Sequence, residues 1–161
     1  MLVDVDSRLG RFVVKASGSK TFMRIGPTVV PRIDRALHKV TGGRVLMSGG
    51  MLPSLMLTTT GAKSGLRRTT PLATMPVDGS WYVVGSNFGR DHHPAWTANL
   101  LADPLAEVSF QATVTPVRAH LLTATEKAET WPKLAELWPN YDLYVERSGR
   151  DLRVFRLDPR G

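Results

Sequence analysis

The spacing of hydrophobic and polar positions changes several times along the chain, and each change marks an element. In 27–40 (PTVVPRIDRALHKV), Val29, Ile33, Leu37 and Val40 recur at intervals of four, four and three. That spacing places them on one face of an amphipathic helix. Arg32, Arg35 and Lys39 fall on the other face, and Thr41-Gly42-Gly43 reads as a stop. The run 52–60 (LPSLMLTTT) predicts a strand, turned by GAKSG, and 67–77 (RRTTPLATMPV) predicts a second extended run. Pro71 and Pro76 place that run at an edge or a bulge, because proline cannot donate to a ladder. Asp78-Gly79 predicts a two-residue hairpin leading into 80–86 (SWYVVGS).

A loop, NFGRDHH, follows, and Pro94 predicts the start of a helix (PAWTANLLAD) that ends before Pro104. The runs 106–111 and 113–122 are β-rich. Thr123 with Glu126 is a capping-box signal for a helix through Trp138, which Pro132 is expected to kink or split. Trp138, Tyr141 and Tyr144 share a helical face, and 152–157 (LRVFRL) alternates as a last strand. Strands dominate and do not alternate with helices as βα units. The expected fold is therefore an antiparallel barrel or α+β domain, not a parallel doubly wound sheet.

Composition narrows the function classes. The chain has 161 residues, enough for one domain with a real core, and 42% hydrophobic with 22% charged residues is ordinary for a soluble protein. It has no cysteine, which excludes disulfides, thiolate metal sites and cysteine nucleophiles and fits a reducing, cytoplasmic setting. The N-terminus (MLVDVDSRLG) is acidic where a signal peptide is basic, and no apolar run is long enough to span a bilayer. Net charge is +7 and unevenly placed: residues 1–44 hold nine Lys/Arg and three Asp, the rest twelve against eleven Asp/Glu. A basic arm of this kind attracts anions or an anionic membrane surface, or is simply a solvated face. With a nearly neutral body and no aromatic-basic stripe, nucleic acid is not an expected partner.

Three stretches carry candidate chemistry. In 58–71 (TTTGAKSGLRRTTP), Ala62 separates Gly61 from Lys63 and a strand follows, so this is not a Walker loop. The parts of an anion site remain: turns that expose backbone N–H groups, the point charge of Lys63, and a guanidinium fork from Arg67 or Arg68. Successive strand residues point to opposite faces, so only one of the two arginines shares a side with Lys63, and composition does not choose between them. In 91–96 (DHHPAW) the adjacent histidines lack any HxH or HxxxH spacing, and His38 and His120 are isolated, so no metal site is expected. The same loop, shaped by Gly85, Gly89 and Pro94, is suited to covering a flat ligand with the Trp96 ring. In WPNYDLYVERSG, aromatic residues at helical spacing form a core face, yet the tyrosine hydroxyls can also bond a substrate. No Ser-His-Asp arrangement, paired carboxylates or GxGxxG motif occurs.

Taken in order, TTTGAKSGLRRTTPL, the Asp-Gly hairpin, WYVVGSNFG, HPAWTANLLADP and WPNYDLY resemble the deazaflavin-dependent nitroreductases of actinobacteria, over about 52–159. The resemblance implies a split β-barrel oxidoreductase using reduced coenzyme F-420, with a basic arm at 1–45 and the deazaflavin-binding barrel at 46–161. The family pattern Lys-x-Gly-x-x-Arg-x-x-Pro falls on Lys63, Gly65, Arg68 and Pro71, making Arg68 the family arginine and Arg67 an extra one. With Ala62 and Ser64 these residues are expected at the coenzyme's phosphate and acidic tail, whose far end Arg24, Arg32 or Arg44 could meet. Ser86, Asn87, Phe88 and Gly89 are implied beside the ring, with Trp96 and Asn99 closing that pocket. Tyr141 and Tyr144 match tyrosines on the substrate side, where Trp138 and Ala73 also fall. Tyr141, Tyr144 and Ser86 are the implied proton donors.

Asn87 stands where a lysine is common and Ala73 where a tyrosine is sometimes found, which argues against nitroimidazole activation. The implied reaction is hydride transfer from the reduced coenzyme to a small electrophilic acceptor such as a quinone, enone or nitro compound. Alternatives are a split barrel holding FMN and a non-catalytic F-420 carrier. The basic arm suits peripheral contact with a membrane that holds a quinone, and the sequence leaves the oligomeric state open.

Overall fold

The computed structural model describes residues 7–41 and 52–161. Two helices, α1 (Arg8–Ser17) and α2 (Lys20–Thr41), precede strands β1 (Ser54–Thr60), β2 (Arg67–Ala73), β3 (Met75–Val77) and β4 (Ser80–Val84). A 3-10 turn (Asn87–Gly89) and α3 (Ala95–Ala102) lead to β5 (Leu105–Phe110) and β6 (Thr113–Leu121). Helices α4 (Ala124–Leu137) and α5 (Asn140–Ser148) and strand β7 (Val154–Pro159) complete the chain.

All seven strands belong to one antiparallel sheet in the order β2-β1-β5-β6-β7-β4-β3. Its two edge strands, β2 and β3, are separated in sequence by Thr74 alone. In a flat sheet six interstrand steps of about 4.8 Å would hold them roughly 29 Å apart. One residue cannot bridge that gap, so the sheet curls until its edges meet. Thr74 is buried at the seam, donating its N–H to the Pro53 carbonyl (2.8 Å) and its hydroxyl to the Tyr82 carbonyl (3.0 Å). The result is a split β-barrel within an α+β chain. Pro71 and Pro76 lie in these edge strands, where a missing N–H costs no interior bond.

Leu55, Leu57, Val83, Val108, Val117, Phe155 and Leu157 fill the barrel, and Trp96 and Leu100 of α3 plug it. Burial of each such side chain contributes roughly 1.5–3 kcal/mol. A second core forms where Leu134 and Trp138 at the end of α4, with Tyr141 and Tyr144 of α5, pack on Val84, Leu122, Leu152 and Val154.

The expected turn signals hold. Asp78 and Gly79 take positive φ (50° and 80°) between β3 and β4. The capping box is present: Thr123 Oγ1 accepts from the Glu126 N–H (3.2 Å), and the Glu126 carboxylate accepts from the Thr123 N–H (2.8 Å). Those bonds, with His120 beside it, hold the Glu126 carboxyl down to about 2.

Three expectations need correction. The second extended run is two strands broken at Thr74. Helix α4 is not split, because Pro132 is exposed while Trp131 is tied to Asp142 (2.7 Å) and Leu134 is buried on either side of it. Helix α2 begins at Lys20, well before the apolar spacing does, and turns Phe22, Gly26, Val30 and Asp34 inward. Of the expected stripe, Val29, Ile33 and Val40 are exposed at 44%, 38% and 83%, and Leu37 is half-buried. The proposed stop at Gly42-Gly43 lies outside the described residues, as does Arg44.

Candidate functional site

Between the seam of the barrel, α5 and the two N-terminal helices lies a cavity of about 500 Å³. Thr70, Pro71, Leu72 and Ala73 of β2 form one wall, and Ser86, Asn87, Phe88, Pro94 and Trp96 a second. Trp138, Tyr141 and Tyr144 form a third, and Phe22, Val30 and Asp34 of α2 roof it. The walls are mostly apolar and aromatic with a few convergent polar groups, as binding sites for flat organic ligands usually are.

The β1–β2 turn sits beyond the β2 wall. Gly61 donates to the Leu66 carbonyl (2.7 Å), Gly65 to the Gly61 carbonyl (2.8 Å), and Leu66 to Ser64 Oγ (3.2 Å). Gly65 holds φ +67°, which favours glycine. The Ala62 N–H is taken by Asn99 Oδ1 (2.9 Å), and Asn99 Nδ2 donates to Thr59 Oγ1 (3.0 Å). Among the described residues, the N–H groups of Lys63 and Ser64 go to no internal acceptor. Two adjacent free amides beside an exposed Lys63 make a small anion cradle.

An ion pair separates the two arginines. Arg68 is opposite Thr59, so it shares a face with Thr59 and with Thr70 of the cavity wall. Arg67 is opposite Thr60 on the other face, where it pairs with Glu107. Both faces of β2 reach the cavity, Thr70 and Leu72 on Arg68's face and Pro71 and Ala73 on Arg67's. What separates the two is that Arg67 is tied to Glu107, while Arg68 has no carboxylate partner among the described residues.

The loop after β4 is strained and braced. Gly85 is required because a Cβ there would come within 2.8 Å of Thr97 Cγ2 and 3.3 Å of the Arg153 carbonyl. Asn87, Phe88 and Gly89 then adopt positive φ in succession (46°, 54°, 75°). For a phenylalanine that conformation costs on the order of 1–3 kcal/mol, so its surroundings must impose it. Arg150 does much of this. Its Nε donates to the Arg90 carbonyl (2.7 Å), Nη2 to the Ser86 carbonyl (2.8 Å), and Nη1 to His93 Nδ1 (3.0 Å). Because the guanidinium can only donate, His93 Nδ1 carries no proton. Burial, then Arg153 and Arg150, pushes the His93 pKa below its ordinary value. Asn87 turns its amide to the His92 carbonyl (3.0 Å), and Phe88 meets Phe22 edge-on with centroids 5.9 Å apart.

Both tyrosines are buried. Burial pushes the Tyr141 phenol well up, with the nearby Tyr144 adding to it, and burial also raises Tyr144 against hydrogen bonds from Trp138 and Asn140. Asn140 ties α5 to α1 through the Val14 carbonyl (2.9 Å) and Ser17 Oγ (2.9 Å).

The structure thus gathers Pro71, Ala73, Ser86, Asn87, Phe88, Trp96, Trp138, Tyr141 and Tyr144 around one cavity. Ala62, Lys63, Ser64, Gly65 and Arg68 gather at the adjoining turn, and Asn99 and Gly89 lie behind these surfaces, acting on the backbone. Sequence reading missed Arg150, whose isolated place after Gly149 gave no signal. It also missed the cavity residues of α1 and α2, whose inward stripe includes a glycine and an aspartate. Among the described residues no three His, Cys, Asp or Glu side chains cluster as metal ligands. No described helix is long and apolar enough to cross a membrane.

Comparison with known proteins shows the family and the fold. The family model described as F420H(2)-dependent quinone reductase matches residues 30–159. An F420H(2)-dependent quinone reductase of Mycobacterium tuberculosis is 36% identical over 137 residues, covering 80% of this chain and 89% of that protein. The solved F420-H2 dependent reductase FDR-A is 34% identical with a TM-score of 0.61, covering 66% of this chain and 94% of that one. A protein solved as a domain-swapped dimer is 29% identical with a TM-score of 0.63, covering 77% of this chain and 95% of that one.

Proposed function

The chain belongs to the F420H(2)-dependent quinone reductase family, and we propose that it passes a hydride from reduced coenzyme F-420 to a quinone seated in the apolar cavity. The observation that carries this reading is the pairing of an anion-ready turn (Lys63, Arg68 and the free amides of Lys63 and Ser64) with an adjoining aromatic cavity. Those residues fit a coenzyme with a flat ring and an anionic handle. When bound, that coenzyme supplies two-electron hydride chemistry.

The chain's own groups do the rest. Lys63 and Arg68 neutralise the handle, each well-formed charge-assisted bond contributing roughly 1.5–3 kcal/mol. Trp96 and the braced Ser86–Asn87–Phe88 backbone hold a ring plane, and Phe22, Val30 and Trp138 keep water from the acceptor. Near-attack placement of about 3–3.5 Å is the main catalytic contribution such a cavity makes. Tyr141 stays protonated and suits hydrogen bonding to an acceptor carbonyl. With its pKa raised it is a weak acid, as is the likewise buried Tyr144, so solvent is the better proton source.

Enones and nitro compounds present the same electrophilic geometry and are secondary acceptors in this reading. An FMN-holding barrel gains no support from relatives named for F-420. A cytoplasmic enzyme working at a membrane face is supported by Ile25, Val29 and Ile33, exposed on α2 beside Arg32 and Arg35. Changing Arg32, Arg35 and Lys39 together to Gln should weaken pelleting with anionic vesicles, and unchanged pelleting removes that contact. The reductase reading itself is tested by anaerobic mixing of the protein, reduced coenzyme and a soluble menaquinone analogue. Multiple turnovers of coenzyme oxidation support it; binding of coenzyme without turnover identifies a carrier instead.

A further inference from the structure

A second groove, about 460 Å³, lies beyond the ring-side loop, and the described residues that line it are all cationic: Lys20, Arg24, Arg90 and Arg147. Like charges brought to one space repel unless an anion joins them. Two of the four are fixed in place rather than free to swing apart. Arg90 donates Nη2 to the Arg24 carbonyl (3.0 Å), and Arg147 donates Nη1 to the Gly18 carbonyl. A guanidinium has five N–H donors, so Arg90's bond to the main chain leaves it further donors. Lys20 and Arg24 also belong to the opening turns of α2, a 22-residue helix whose positive end favours an anion.

We propose that this groove binds a phosphate group carrying at least two negative charges, either free as a diphosphate or borne on a lipid headgroup. It is distinct from the coenzyme turn, because no residue of 61–68 lines it. Arg90 links the groove to the cavity: its own carbonyl accepts from Arg150 Nε, the guanidinium that also holds Ser86. A phosphate gripped by Lys20, Arg24 and Arg90 fastens α2, the cavity roof, to the ring-side loop. That consequence rests on the reading of the cavity given above; the binding itself does not.

The test is calorimetric titration of inorganic pyrophosphate at constant ionic strength into the full chain carrying Lys63→Ala and Arg68→Ala, so that the turn supplies no signal. Saturable binding is expected, weakened about tenfold or more when Lys20→Gln and Arg24→Gln are added, since each removes a charge-assisted contact. Arg90→Gln, which leaves α2 unaltered in sequence, should weaken it as well. No saturable binding in the parent, or full binding by both variants, overturns the proposal. Phosphatidic acid vesicles, whose phosphomonoester headgroup can carry two charges, and phosphatidylcholine vesicles then separate the sources. Pelleting with the first that pyrophosphate competes away, and that Lys20→Gln with Arg24→Gln reduces, identifies a headgroup. Pyrophosphate binding with pelleting unchanged identifies a free phosphate. Coenzyme affinity is not read in either arm, so failure here is separable from failure of the reductase reading.

Discussion

Asn99 Oδ1 accepts the Ala62 N–H at 2.9 Å across 37 residues of sequence, while its Nδ2 donates to Thr59. A helix that plugs the barrel thereby fixes the turn that carries Lys63. The amide orientation is forced, because a backbone N–H can only donate. Asn99→Ala leaves the Ala62 N–H and the buried Thr59 hydroxyl without these partners, which costs about 1–3 kcal/mol. The variant should melt several degrees lower and bind coenzyme about tenfold more weakly, although Asn99 is not among the cavity-lining residues. Thermal melting and coenzyme titration together check this; lost stability with full affinity would separate Asn99 from the site.

Arg150 and His93 give a pH signature. The folded His93 pKa lies below its ordinary 6.5, so the neutral ring contributes no penalty above that value. Stability falls as pH drops below about 6.5 and through the lower folded pKa, because the unfolded chain takes up the proton first. Histidine NMR titration should show one ring with a midpoint below 6.5. Arg150→Gln should loosen the loop at Ser86 and Arg90, raise KM for the coenzyme and return His93 toward its ordinary value. A coenzyme KM unmoved by that substitution would contradict the bracing role.

Tyr141 distinguishes a hydrogen-bond donor from a proton donor. Loss of one neutral hydrogen bond in Tyr141→Phe should lower turnover by about tenfold. Loss of a true general acid would lower it about 10²–10⁴-fold. The smaller loss is expected, with coenzyme affinity intact and no Tyr141 ionisation visible up to pH 10. A collapse of turnover would make Tyr141 the acid.

Much of this arrangement was legible in the chain. Asp78-Gly79, the Thr123/Glu126 box and the alternation in β1 are local signals, and local hydrogen bonds satisfied them. The motif order around Lys63, Phe88 and Tyr141 named many of the residues that line the candidate cavity and its adjoining turn. What the sequence did not hold was tertiary. Arg67 and Arg68 look alike until the register sets Arg67 opposite Thr60 and beside Glu107. The apolar stripe of α2 was real but pointed outward, since the helix buries the mixed stripe through Phe22 and Asp34. Arg150 braces carbonyl oxygens, which every residue carries, so no residue pattern announces it.

Coenzyme F-420 affinity measured by calorimetry for Lys63→Ala/Arg68→Ala, with Arg67→Ala as the control, bears most directly on the central claim. Both double-variant side chains are exposed, so the fold should persist while Kd rises roughly 100-fold or more, two charge-assisted bonds being lost. Arg67→Ala, breaking only an exposed pair with Glu107, should change Kd little. Equal affinity in the double variant and the unaltered protein, or a larger loss in Arg67→Ala, would contradict it.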